Sequence, residues 1–460
     1  MNQFAATLQT PSHWHVARMI LLSKTKAKVI SVEETRPISI LPCFSKLFEK
    51  CFLIYFRQWI NERGILPAEQ SGFRPNHNMA VRLVSIIDQI GQSLSKNTAA
   101  AALFVDFLSA FNQLWFNGLW LKLINLQCPF YLLAWLRHYL RGRKAYIDIK
   151  NTSSNMFSLS KGVPQGSCIG PALFIVYHHD ILEALSTIHW KHLFADDLAV
   201  LFSPSSSMSP SNMIHTLTNQ VKQVLTRLIN YSIKWKQPIN FNKTYWTLFN
   251  RQVVPQIPTV ICEGHTIEHI KKFKYLGTIL DAKLSFSAHI DYIKSKIRTN
   301  MNVFKRLVSS RMMSEEVNYR LYNAFIRPYL QSILNIYPIL TTNKKKQLEG
   351  LNRKIFRTIH NWHDARNIEI ENLPKYRTIG KLTSAHWDKL TCTILATNPG
   401  VIEDFLQHKL SIVYLREYLS NPSLAKERKK IFGRGRVPKN ISKLLIEERL
   451  SLFDHVLCFH

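Results

Sequence analysis

Apolar and polar positions change period several times along this chain, and each change marks an element. Residues 16–22 read as a strand, and 36–42 as extended chain around two prolines. A 3.6-residue period then predicts a helix over 44–61, with Leu47, Cys51, Ile54 and Tyr55 on one side and a glycine stop at Arg63-Gly64. Residues 70–75 read as a loop and 80–94 as a second helix. An apolar run over 99–107 carries Asp106 at its end, followed by a turn at 108–112 and a helix over 114–126. The Gly- and Pro-rich loop 161–167 opens a helix predicted from Pro171 to about Leu185. Two strand-length apolar runs then flank Asp196-Asp197, the pattern of a hairpin with acids near its tip. A Ser- and Pro-rich linker at 203–211 leads to a helix over 212–235, striped by Met213, Leu217, Val221, Val224 and Leu228. A strand at 245–249 and a small hairpin at 273–281 complete this part; from about Leu284 the pattern is helical and rich in cations.

Charge changes the picture more than composition does. Apolar residues make up 46% of 460 and charged residues 20%, ordinary for a globular chain long enough for two or three domains. Yet 60 Lys and Arg against 30 Asp and Glu leave a formal charge of +30, for which nucleic acid is the leading explanation. The cation runs at 344–346 and 426–436 read either as phosphate contacts or as solvated faces. No run of 18 apolar residues suggests a membrane span, and the first residues lack the charged-then-apolar pattern of a signal peptide. Seven scattered cysteines without a C-x-x-C argue against a disulfide framework or a cysteine-type zinc site, and fit an intracellular, reducing compartment.

Adjacent carboxylates beside a low-dielectric core repel each other, so folding alone gives little reason for Asp196-Asp197. A divalent cation removes the objection, and such sites run phosphoryl transfer; an exposed turn is the plainer alternative. Asp106 fits a catalytic acid at a strand end equally as well as a helix cap. The loop before Pro171 offers backbone N–H groups to an anion, or is simply a turn before a core helix.

Taken in order, these segments resemble the reverse transcriptase domain of non-LTR (LINE-type) retrotransposons, over roughly residues 11–289. Arg36-Pro37-Ile38-Ser39 with Lys46-Leu47-Phe48-Glu49-Lys50 is similar to the family's first block, and Gln70-Ser71-Gly72-Phe73-Arg74 to its second. Phe104-Val105-Asp106 with Ala110-Phe111 is similar to the first catalytic motif. Val163-Pro164-Gln165-Gly166-Ser167 with Gly170–Phe174 resembles the template and nucleotide loop. Phe194-Ala195-Asp196-Asp197 matches the aromatic-Ala-Asp-Asp signature, and Lys243-Thr244 and Tyr275-Leu276-Gly277 fit the two motifs after it.

The resemblance implies an α+β right-hand polymerase: fingers, a palm with an antiparallel sheet, and a helical thumb. Fingers and palm fall within 11–283, the thumb at 284–340, and a basic helical extension at 341–460. It implies RNA-templated DNA synthesis from dNTPs on a DNA primer. Asp106 and Asp196 would hold two Mg²⁺ ions (Mn²⁺ as a substitute), with Asp197 supporting and Lys243 near the triphosphate. Phe111 would act as a gate against a ribose 2′-OH, Gln165 and Gly166 would lie against nucleotide and template, and Arg36 and Arg74 would contact triphosphate. Asn112 stands where the family has Asp, and His178-His179-Asp180 where Asn-Asp is usual; the match makes the histidines a helix-surface or core contact rather than ligands. An endonuclease domain often precedes such polymerases and is expected to be absent here, supplied elsewhere if at all, with the chain a piece of a longer element. Two rivals stay open: a decayed polymerase fold kept for RNA or DNA binding, and a two-metal nuclease.

Overall fold

The computed structural model describes residues 10–387, apart from 26–30, 32–33, 76, 96–97, 150–151, 189, 205–207, 252–256, 310–313, 361, 363 and 374. The basic run at 426–436, most of the expected C-terminal extension, Cys392 and Cys458 lie outside the described residues.

A small sheet forms first. Strand β1 (Val16–Ser23) pairs antiparallel with β2 (Thr35–Ile40) and parallel with β4 (Lys144–Ile149), which also pairs with β5 (Thr152–Ser153) and β6 (Phe157–Ser158). Helix α1 (Cys43–Glu62) follows, and its end is a Schellman stop: Gly64 at φ +58°, its N–H on Asn61 O and the Ile65 N–H on Ile60 O. Its orientation corrects the sequence reading. Leu47, Cys51, Ile54 and Tyr55 do share a side, but that side faces solvent. Phe48, Phe52, Phe56, Trp59 and Ile60 turn inward instead, Phe52 stacking at 3.8 Å on Trp135. The helix is apolar on two sides, and the aromatic side buries more area.

Helix α2 (Met79–Ser95) then leads to β3 (Ala100–Val105), the centre of the main sheet. The helix expected over 114–126 is present over 116–125, and the turn expected at 108–112 is itself helical in part. A turn of helix α3 (Ala110–Gln113) precedes α4 (Phe116–Asn125), because the carbonyls of Phe111 and Leu114 accept from Val163 and Gly162 of a distant loop. Helix α5 (Phe130–Leu140), unforeseen in the sequence, packs Trp135 and Tyr139 under α1.

Helix α6 (Gly170–Tyr177) is also shorter than expected. Lys122, 2% exposed, donates to the Tyr177 carbonyl at 2.6 Å, to Asp180 Oδ1 at 2.5 Å and to Tyr231 at 3.0 Å, over the Trp235 ring. Tyr177 O is therefore taken by a side chain, and Ile181 N–H turns back to His178 O. His178 is fully buried among Phe107, Phe174 and Tyr177, a core contact.

Strands β7 (Trp190–Phe194) and β8 (Asp197–Phe202) make the expected hairpin. Helix α7 (Pro210–Trp235), with Ser209 as its N-cap, buries all five residues of the predicted stripe. Strands β9 (Tyr245–Phe249), β10 (Val260–Cys262) and β11 (His265–His269) complete a six-stranded sheet in the order β10-β11-β9-β3-β8-β7. It is antiparallel except for a short β9–β11 pairing. Strands β12 (Lys272–Tyr275) and β13 (Thr278–Asp281) form a separate hairpin.

All six residues of β3 are buried, and they alternate between two cores. Ala101, Leu103 and Val105 join the core under α1, α4, α5, α6 and α7. Ala100, Ala102 and Phe104 join a second core with α2 and the C-terminal helices. Those helices are α8 (Ser287–Ser309), α9 (Glu315–Phe325), α10 (Arg327–Leu334), α11 (Thr342–Ile359) and α12 (Asn367–Glu371). Residues on both sides of position 340 share that second core. Two of the three lysines at 344–346 are engaged internally: Lys344 donates to Ser285 O, and Lys345 to Pro338 O. The fold is an α+β right hand, built on the six-stranded sheet, with β1–β2 and α1 on one core and the helices from α8 onward on the other. Among the described residues no helix is long and apolar enough to cross a membrane.

Removing Asp180 strands the buried Lys122 cation, so Asp180→Ala is expected to lose about 3–5 kcal/mol in denaturant unfolding, more than the joint Lys122→Met/Asp180→Leu exchange. Burial also draws the Lys122 ammonium down to about 8, against the attraction of Asp180. The unfolded chain then binds the extra proton between pH 8 and 10.5, so this group adds stability as pH rises across that window. That increment should vanish in Lys122→Met; an identical pH dependence in the two proteins would contradict it.

Candidate active site

The candidate site lies where β3 leaves the two cores. Asp106 continues the 100, 102, 104 side of the strand, and register extends it opposite Asp197, since Val105 pairs with Leu198. Its position is fixed from the chain after α7. Asn240 N–H donates to Asp106 O at 2.8 Å, and Asn240 Nδ2 to Asp106 Oδ2 at 2.9 Å. Thr244 Oγ1 accepts from Asp106 N–H at 3.4 Å and donates to Asn240 O at 2.9 Å. Burial raises the Asp106 carboxyl above its ordinary value, opposed by Lys243 and the Asn240 bond.

Phe194 pairs directly with Asp197, so Ala195 and Asp196 are the whole turn of the β7–β8 hairpin, and Ala195 is left-handed at φ +60°. The Asp196 carboxyl is raised by burial and by the charge of Asp106, while Arg36 pulls it down. Asp197 is pushed up to about 6 by burial, then by Asp196 and Asp106. The β3–β8 register thus sets Asp106 opposite Asp197, with Asp196 in the adjoining turn, 90 residues on from Asp106 in sequence. Among the described residues no three His, Cys, Asp or Glu side chains close into a metal cage by themselves. Mg²⁺ does not need one: it takes one or two carboxylates and completes its shell with phosphate and water. A hard, oxygen-only donor set whose carboxyls are held above their ordinary pKa by burial, and for Asp196 and Asp197 also by neighbouring negative charge, fits such an ion.

The remaining candidates surround this point. A cleft of about 240 Å³ is lined by Asp106, Asp197 and Lys243 on one wall and by Phe273–Leu276 of the β12–β13 hairpin on the other. Arg36 is exposed on β2, close enough to act on Asp196. Arg74 is half-buried and spends Nη1 on the carbonyls of Pro67 (2.8 Å) and Gln70 (3.3 Å), bracing its own loop. Phe111 stacks on Phe174 at 4.5 Å and meets the edge of Phe73 at 5.8 Å.

Gln165 Nε2 donates to Asn112 Oδ1 at 3.1 Å, so Asn at 112 still supplies an acceptor. Gln165 O accepts from Ser39 N–H at 2.7 Å. Gly166 has φ +135°, and a Cβ there would fall 2.3 Å from Ser39 O, so only glycine fits.

Sequence reasoning missed four supports. Asn240 and Gln70 hold the acids from distant segments. Arg82 ties α2 to Ser71 Oγ (2.5 Å) and lies 3.3 Å from His192 Nε2. Glu49, 1% exposed, accepts from Tyr139 OH (2.9 Å), Ser167 Oγ (2.9 Å) and Cys168 N–H (2.6 Å). Ser167 Oγ in turn accepts from Ile169 N–H and Gly170 N–H, so the amides at the start of α6 are already bonded. The loop is thus closed to a phosphate at those amides, and the turn reading holds there. Glu49 lies within the first block in sequence, but nothing local marks it as buried.

A right-hand palm with paired acids at the centre of its sheet defines a nucleotidyl-transferring polymerase. Residues 23–280 match the family described as reverse transcriptase (RNA-dependent DNA polymerase), and the chain belongs to that family. It is of the non-LTR type. It is 27% identical over 355 residues to the probable RNA-directed DNA polymerase from transposon X-element of Drosophila melanogaster, covering 76% of this chain and 38% of that protein. It is 27% identical over 350 residues to the RNA-directed DNA polymerase from mobile element jockey of Drosophila funebris, covering 75% and 37%. The chain thus spans under two-fifths of these relatives. Among solved structures, the apo telomerase of Candida tropicalis aligns with 92% of this chain and 71% of its own, at 9% identity and a TM-score of 0.44.

Glu49→Gln replaces one of two accepting oxygens by an NH₂ donor, leaving a single oxygen for three donors. It is expected to cost about 1–3 kcal/mol of stability and to speed hydrogen exchange at the Cys168 amide; unchanged exchange there would remove Glu49 as the loop's anchor.

Proposed function

We propose that this chain catalyses RNA-templated DNA synthesis, adding dNTPs to the 3′-hydroxyl of a DNA primer. The observation that carries the reading is the meeting of Asp106 with the Asp196–Asp197 turn at the centre of the palm, beside Lys243. Asp106 and Asp196 would hold two Mg²⁺ ions with Asp197 supporting, and Mn²⁺ would substitute. Such ions, when bound, lower the pKa of a primer hydroxyl and neutralise charge on the leaving pyrophosphate.

The chain's own groups do the rest. Lys243, on the cleft wall with Asp106 and Asp197, faces the developing negative charge and is the proton donor to the leaving group. Phe111, pinned between Phe174 and Phe73, is rigid enough to reject a ribose 2′-OH. Gln165 and the exposed backbone of Gly166 lie against nucleotide and template. Arg36 contacts triphosphate; Arg74 does so with the donors its loop leaves free. We assign 11–283 to fingers and palm, 284–340 to the thumb and 341–460 to a basic extension that begins on the thumb's own core. Template, primer and dNTPs are the partners, and the compartment is intracellular. Presence of all three carboxylates favours an active enzyme over a decayed, nucleic-acid-binding one.

Asp196→Ala is expected to abolish extension on poly(rA)/oligo(dT) while nucleic-acid affinity stays within about twofold, because phosphate contacts dominate binding. Undiminished extension by this variant would end the catalytic assignment, and cleavage instead of extension by the wild type would favour a nuclease. Phe111→Val should raise ribonucleotide incorporation relative to dNTP use; an unchanged ratio would remove it as the gate.

A further inference from the structure

Gln70 is 1% exposed, and its amide is wholly engaged with main chain. Oε1 accepts from Gly72 N–H at 2.7 Å and from Ala195 N–H at 3.0 Å, while Nε2 donates to Ala195 O at 3.3 Å. One side chain thus grips both polar groups of the residue before Asp196, from 125 positions away. That residue needs a grip: a non-glycine residue in the left-handed region loses roughly 1–2 kcal/mol, and two-residue hairpin turns normally place Asn, Asp or Gly there.

The surrounding chain is shaped to bring Gln70 in. Ser71 N–H donates to Leu193 O at 2.9 Å and Leu193 N–H to Glu69 O at 3.2 Å, a short parallel pairing that lays 69–71 along β7. Gly72 then passes so close that a Cβ would fall 2.1 Å from Ala195 N. Arg82 fastens the same segment through Ser71 Oγ and the Ala68 carbonyl. Two acceptor bonds and one donor bond are required at one point. A glutamine supplies all three, and a carboxylate would leave the Ala195 carbonyl facing an oxygen.

We propose that Gln70 is a positioning residue for the acidic turn: by clamping Ala195 it aims Asp196 at Asp106 and so sets the site's affinity for divalent cations. The consequence for activity rests on the polymerase reading above; the consequence for metal binding does not.

The experiment compares full-length wild type, Gln70→Met and Gln70→Glu by Mn²⁺ binding (electron paramagnetic resonance of the free ion), primer extension across a Mg²⁺ titration, RNA–DNA duplex affinity and thermal unfolding. Gln70→Met should weaken Mn²⁺ about tenfold, as loss of an outer support of a metal site does, and raise the Mg²⁺ needed for half-maximal extension similarly. Duplex affinity should stay within about twofold. Adding Ala195→Gly to Gln70→Met should recover part of the Mn²⁺ affinity, since glycine takes the left-handed turn unaided. Equal Mn²⁺ affinity in folded Gln70→Met and wild type overturns the proposal.

Gln70→Glu gives the opposite sign to simple electrostatics. Added negative charge alone would tighten Mn²⁺, whereas loss of the Nε2 bond should weaken it about threefold; tighter binding overturns the clamp even if Gln70→Met does not fold. A wild type that binds Mn²⁺ but extends no primer removes the polymerase reading and leaves this comparison intact.

Discussion

The structure depends on one strand that has no solvent face. Because β3 is buried on both sides, its residues must be apolar and its register is fixed from two directions at once. The first polar side chain after such a strand appears where the cores end. Asp106 is that side chain, and its direction follows from the 100, 102, 104 side it continues. The alanines at 100 and 102 let α2 approach closely, while Leu103 and Val105 fill the deeper core opposite.

Around that fixed point, distant segments act as braces more than as reagents. Asn240 and Thr244 hold Asp106 from the chain after α7, and Gln70 holds the turn of Asp196. Glu49, Ser39 and Asn112 hold the loop of Gln165 and Gly166. Most of these contacts end on backbone N–H and C=O groups, so they fix where main chain runs; Asn240 Nδ2 on Asp106 Oδ2 is the contact that reaches an acid itself. This explains why carboxylates that repel one another persist together: the scaffold opposes their separation, and a hard cation relieves it.

Legibility in the sequence followed range. The acids were readable because Asp106 ends an apolar run and Asp196-Asp197 interrupts another, both local signals. The α7 stripe and the hairpins were readable for the same reason. Helix α1 misled because apolar residues cover two of its sides, and partners from elsewhere in the chain, Trp14 before it and Trp135 more than 70 positions on, select the aromatic one. The α6 helix was drawn too long because Lys122 claims the Tyr177 carbonyl, a competition no window around 171–185 contains. Gln70, Glu49 and Asn240 stayed silent as supports because each works across 90 residues or more. Charge counts misled mildly: Lys344 and Lys345 bind carbonyls within the thumb.

The seam between β2 and the 161–170 loop has a mechanical consequence. Ser39 donates across it, Gly166 lies against it without room for a side chain, and Glu49 is bonded behind it by three donors. A hinge at that seam would break the Ser39–Gln165 bond and part Glu49 from Ser167 Oγ and Cys168 N–H together, leaving only Tyr139 OH on a buried acid. The seam therefore couples the β1–β2 sheet and α1 to the loop that carries Gln165 and Gly166, so that a displacement of one carries the other.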